Sequence, residues 1–153
     1  LILLIMRGVQ KTGKREIDTA YEKWDLGLHE ERYVTSVFNT VFSSLSYIYD
    51  RQKGPDQMRP FRTRAWLYTI FSYQLYRMHI IDNDGTLTPI GADFDLAGVN
   101  TDGIDPYWIE HVLREYRQAR TSDAKLSRAV SGGASDRSSR MRRLDFLIAT
   151  IGL

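Results

Sequence analysis

Cysteine is absent from the chain. That excludes a disulfide framework, a thiolate metal site and a cysteine nucleophile, and it fits a reducing compartment, so the cytoplasm is the expected location. Histidine is scarce: His29, His79 and His111 lie far apart and form no His-x-x-x-His or Glu-x-x-His pair, the spacings that zinc sites favour. No metal and no cofactor is therefore expected. Long apolar runs are missing too. Leu1 to Met6 is uniformly apolar but too short to span a bilayer, and no basic region precedes it as in a signal peptide, so no membrane contact is expected. There is no internal repeat and no pair of alternating strands.

What is present is ordinary globular usage, 42% apolar and 12% aromatic, enough for one domain with a core. Leu1 to Met6 is hard to keep in water by itself and reads as the tail of a buried element begun elsewhere. Residues 1–153 are accordingly taken as a single helical domain forming the C-terminal part of a longer protein. Ile17, Ala20, Tyr21 and Trp24 predict a short amphipathic helix between Gly13 and Asp25, ending near Gly27. From about His29 to Asp50 the positions Val34, Val37, Phe38, Val41, Phe42, Leu45, Ile48 and Tyr49 follow helical spacing, closed by Gly54-Pro55.

Pro60 and Phe61 introduce a third helix. Leu67, Ile70, Phe71, Leu75 and Met78 form its stripe, Trp66, Tyr68, Tyr73 and Tyr76 widen it, and helical periodicity extends over residues 63–81. A helix apolar on most sides belongs at the centre of a bundle. Glycines, prolines and aspartates from Asp82 to Pro106 make a long loop. A fourth helix starts at Asp105-Pro106 and carries Trp108, Ile109, Val112, Leu113 and Tyr116 inward; Ser122 or Asp123 caps another through Val130. Met141, Leu144, Phe146, Leu147 and Ile151 supply a last helical segment. The fold class is all-α: a helical bundle with one long Asp/Gly-rich loop, centred on residues 33–49 and 63–78, whose stripes must hide against each other.

Charge is segregated along the chain. Asp82, Asp84, Asp93, Asp95, Asp102, Asp105 and Glu110 occur without a lysine or arginine among them, whereas residues 114–143 are rich in arginine. Ile80-Ile81-Asp82-Asn83-Asp84-Gly85-Thr86-Leu87-Thr88 resembles the nucleophile motif of haloacid-dehalogenase-type phosphatases, in which the first aspartate attacks phosphorus beside a magnesium ion. That motif needs the end of a buried parallel strand, and here it follows a helical pattern. A turn is the better reading of Asp82 and Asp84, and a phosphatase the weakest functional one. A calcium loop fails on spacing, since the glycine falls too early and no glutamate closes it.

A Ser/Gly-rich stretch, Ser131-Gly132-Gly133-Ala134-Ser135, leads into Arg137, Arg140, Arg142 and Arg143. Small residues let backbone amides approach phosphate, and guanidinium groups clamp it in a fork. These four arginines are the candidate nucleic-acid-binding residues, expected at the surface, contacting the DNA backbone without reading sequence, and replaceable without loss of folding. A solvated basic face explains them as well. No catalytic residue and no metal ligand stands out.

Three features together resemble the helical region that follows the catalytic domain in ParB/sulfiredoxin-like restriction proteins of the GmrSD type. They are Tyr21-Glu22-Lys23-Trp24-Asp25 leading into the Val34 to Tyr49 helix, the Phe61-Arg62 start of the aromatic helix, and the segment from Gly132-Gly133 to Arg143-Leu144-Asp145-Phe146-Leu147. The resemblance implies a non-catalytic helical module of a DNA-acting restriction or anti-phage defence protein. Its partners would be the DNA backbone and a catalytic domain N-terminal to it, and its parent a nucleotide-dependent nuclease. Neither catalytic motif of that family lies in this chain. A helical protein-interaction domain unrelated to nucleic acid is the alternative left open.

Overall fold

The computed structural model describes residues 1–10, 13–24, 31–51, 63–88, 108–131 and 136–152. The helices among them are α1 (Ile2–Arg7), α2 (Lys14–Trp24), α3 (Glu31–Arg51), α4 (Arg64–Arg77), α5 (Trp108–Ser122), α6 (Ala124–Ser131) and α7 (Arg137–Ile151). Among the described residues the one departure from helix and turn is an isolated antiparallel bridge between Ile81 and Leu87. The all-α expectation is met. Most of the long loop, and with it Gly91, Asp105 and Pro106, lies outside the described residues, as do Gly27, His29, Gly54-Pro55, Pro60-Phe61 and Gly132 to Ser135. No helix among the described residues is long and apolar enough to cross a membrane.

Local chemistry sets the helix ends. Glu16 at the third position of α2 accepts the Gly13 N–H at 2.9 Å, half of a capping box. Thr63 Oγ1 accepts the Trp66 N–H at the start of α4. Asp123 Oδ1 takes the Lys125 and Leu126 N–H groups at 2.8 and 3.0 Å, which starts α6 where the sequence placed a cap. Asp136 does the same for α7, accepting the Ser139 N–H at 2.8 Å.

From Thr69 to Leu75 every residue of α4 is buried, so this helix is covered on all faces and forms the centre of the bundle. Its hydroxyls are internally satisfied: Thr69 and Ser72 donate to the Ala65 and Tyr68 carbonyls at 2.8 and 2.9 Å. α3 covers one side through Val34, Val37, Val41 and Leu45, and Phe38 meets Phe71 with ring centroids 5.9 Å apart. α7 packs more extensively on α4 than α3 does. The two great stripes are therefore not hidden by each other alone: α3 also covers α1, and α4 owes another face to α7. Trp66, Tyr116 and Phe146 link α4, α5 and α7 through edge-on ring contacts of 5.2 and 6.2 Å.

One inward expectation and one helix extent fail on geometry. Phe42 is 53% exposed, stacked on Phe38 at 5.7 Å, because it lies beside the valine stripe and beyond the reach of α4. The third helix ends at Arg77, not at residue 81; His79 adopts a left-handed φ of 56°, and Ile80 and Ile81 are buried beyond the helix end, Ile81 in the bridge to Leu87.

Burial ranks the two aromatic side chains. Phe71→Ala should lower unfolding free energy by about 3–5 kcal/mol, and Phe42→Ala by no more than about 1 kcal/mol. Urea titrations of both variants measure the contrast, and equal losses would overturn the placement of α3 on α4.

Candidate functional site

Arg137, Arg140 and Arg143 recur every three residues on α7 and point toward the protein, not away from it. Arg143 is fully buried; its Nε donates to Thr69 Oγ1 at 2.8 Å and its Nη1 to the carbonyl of Ala129 in α6. Arg140 is 9% exposed, donates to the Gln10 carbonyl at 2.6 Å and lies over the Tyr68 ring at 4.1 Å. Arg137 is exposed but its donors reach the Val9 and Asp84 carbonyls at 3.1 and 2.7 Å. Arg142, on the other face, stands 3.8 Å from Asp123 with its side chain 42% exposed.

The four candidate arginines thus divide. The expectation that all of them lie at the surface and can be replaced without loss of folding is corrected for Arg140 and Arg143, which are held inside. The helix period explains it: residues three apart share a face, and Leu144 and Leu147 turn that face of α7 to the core. Burial pushes the Arg143 guanidinium down to about 10, with the like charge of Arg140 second, while Asp136 and Tyr68 oppose both. At that value it is cationic at neutral pH.

Asp82 and Asp84 lie in a tight turn, as expected. Asp82 Oδ1 accepts the Asp84 and Thr86 N–H groups at 2.9 and 2.8 Å, and the turn is closed by Gly85 N–H to the Asp82 carbonyl at 3.0 Å. The pairing here is antiparallel, between Ile81 and Leu87, unlike the parallel strand end that a phosphatase nucleophile requires. The turn also has a structural duty. Val9 N–H donates to the Gly85 carbonyl at 2.7 Å, and a side chain at Gly8, whose φ is 69°, would collide with that oxygen.

A concave site lies elsewhere, between α1 and α2. It is a groove of about 470 Å³ lined by Leu1, Ile2, Ile17, Ala20, Tyr21 and Trp24, with Arg64, Tyr68 and Arg140 also in the lining. Of the apolar stripe that the sequence shows on this helix, Ala20 is buried, while Ile17 is 39% and Tyr21 62% exposed. The amphipathic stripe is real, but among the described residues no helix packs across it. Tyr21 and Trp24 meet edge-on at 5.8 Å at the lip. In the first turn of α5, His111 Nε2 lies 3.2 Å from the Thr150 carbonyl and its Nδ1 2.8 Å from Arg114, a link between α5 and α7. Among the described residues no cluster of histidine and acidic side chains has the arrangement of a metal site.

Sequence reading missed the groove. Its stripe was visible, but whether a stripe faces core or solvent depends on which helix the fold places opposite, and Arg64 and Tyr68 come from a helix some forty residues away in sequence.

Two outcomes follow. Arg143→Ala leaves a void and removes the donors to the Ala129 carbonyl and the Thr69 hydroxyl, and should cost about 3 kcal/mol, whereas Arg142→Gln should stay within about 0.5 kcal/mol; urea unfolding that ranked them equally would contradict the inward placement. The Asp136 carboxyl is held well below its ordinary 3.8 by the Ser138 hydroxyl at 2.6 Å, then by the Ser139 N–H. Its folded value being the lower, its contribution is complete above the ordinary value and is lost as pH falls through and below it. Between about pH 5 and about pH 3, Asp136→Asn, which keeps a capping oxygen, should lose less stability than the parent; an unchanged slope would refute this.

Comparison of the chain with family models, with curated proteins and with solved structures gives no match, so its function is argued from this geometry.

Proposed function

We propose that the chain is a non-catalytic helical docking module that holds another protein against the groove between α1 and α2. One observation carries this reading: Ile17 and Tyr21, each more than a third exposed, line one cavity together with Trp24 of the same helix. Apolar side chains scattered singly over a surface are ordinary, but a contiguous patch beside a cleft, with tyrosine, tryptophan and arginine at hand, has the composition of an interface core. The resemblance to GmrSD-type proteins is compatible with this role, with the catalytic domain of the parent as the docked partner.

Contact with the DNA backbone is the second reading. The internal bonds of Arg137, Arg140 and Arg143 withdraw them from it, so it would fall to Arg142 and Lys125, whose charges gather around Asp123, with exposed Arg128 nearby in sequence. Such contact would be independent of sequence and would weaken as salt rises.

Photo-crosslinking in cells separates the two. With p-benzoylphenylalanine in place of Tyr21, a single reproducible protein adduct is expected, and none with the same replacement at Arg128. Nuclease-sensitive adducts from position 128 together with none from position 21 would replace the docking reading by the DNA reading.

A further inference from the structure

We infer that, independently of docking at the groove, His111 and two neighbours on α5 form a pH-operated switch that holds or releases the Arg114 guanidinium at the surface. The ring meets two partners. His111 Nε2 lies 3.2 Å from the Thr150 carbonyl in the last turn of α7, and Nδ1 lies 2.8 Å from Nη2 of Arg114. A carbonyl only accepts and a guanidinium only donates, so Nε2 carries the hydrogen and Nδ1 offers its lone pair. Both bonds therefore exist only with a neutral ring, in one tautomer.

A proton on Nδ1 turns that acceptor into a donor and sets two cations 2.8 Å apart, so the contact with Arg114 breaks. The replacement partner is already at hand. Glu115 Oε1, which in the neutral state accepts from Arg114 Nε at 3.3 Å, stands 3.8 Å from His111 Nδ1. Protonation passes Glu115 from the guanidinium to the imidazolium, while the Nε2–H bond to Thr150 is kept and is strengthened by the negative end of α7. Arg114, whose side chain is already 66% exposed, then joins exposed Arg117, three residues on, as a pair of cations on the outer face of α5.

Histidine is the side chain whose ordinary charge change falls between about pH 5 and 8, so Arg114 is held above that window and released below it. The neighbouring elements add no competing titration. Phe146 to Ile151 of α7 includes no ionisable side chain. From α4 the Tyr73 hydroxyl reaches the Gly152 carbonyl at 2.7 Å; burial raises its pKa and keeps it neutral here, with the Arg77 charge acting against burial.

Nitrogen-15 magnetic resonance of the full chain, titrated from about pH 8 to about pH 5.5, tests the switch through the His111 ring nitrogens and the Arg114 Nε–H. At the alkaline end the ring should be the Nε2–H tautomer. As acid is added, the Arg114 resonance should move along the same curve as the ring nitrogens. His111→Gln keeps a donor for Thr150 but takes up no proton, so in this variant the Arg114 resonance should stay still while Tm remains near that of the parent. Were the variant to unfold, the tautomer and the joint titration in the parent chain would still decide. The Nδ1–H tautomer at alkaline pH, an Arg114 resonance that ignores the ring, or one that moves equally in a folded His111→Gln would each overturn the switch.

Discussion

The buried guanidinium of Arg143 is the constraint around which the rest of this structure is arranged. A cation removed from water is tolerable only where its donors are met, and the protein meets them from two other helices, through the Thr69 hydroxyl of α4 and the Ala129 carbonyl of α6. Thr69 is itself tied to the Ala65 carbonyl, so the hydroxyl is oriented to accept. α7 cannot shift along α4, nor α6 swing away, without stranding a charge. Leu144 and Leu147 of the same helix are also fully buried.

The same helix extends this logic outward. Arg140 and Arg137, one and two turns before Arg143, hold the carbonyls of Gln10, Val9 and Asp84, so the segment after α1 and the Asp82–Leu87 turn are both bound to α7. These connecting segments lack a ladder of their own, and their carbonyls need donors from elsewhere. Charge that looks like a nucleic-acid face in a linear reading is here spent on chain carbonyls. It shapes the groove as a by-product: Arg140, fixed by its internal bonds, is part of the lining.

Much of the architecture was legible in the sequence because it depends on local periodicity. The stripe of Val34, Val37, Val41 and Leu45, the all-round apolar character of residues 66–75, and the cap at Asp123 each belong to one helix and were read from it. What failed depends on partners distant in sequence. Arg143 and Arg142 are adjacent in the chain, yet one is fully buried and the other stands at the surface, a difference set by which face of α7 meets Thr69. Tyr21 carries the same pattern as a core aromatic and is exposed because α2 has no helix packed across it among the described residues. The groove joins residues of α1, α2, α4 and α7, and no linear spacing announces such a meeting.

The inward orientation of the α7 arginines is most directly tested by hydrogen exchange of their side-chain Nε–H groups, followed by nuclear magnetic resonance with and without duplex DNA. The Arg143 Nε–H, donating to a buried hydroxyl, should exchange far more slowly than that of Arg142, and its resonance should not move when DNA is added. Rapid exchange at Arg143 matching that at Arg142, or a shift of the Arg143 resonance on adding DNA, would contradict the account.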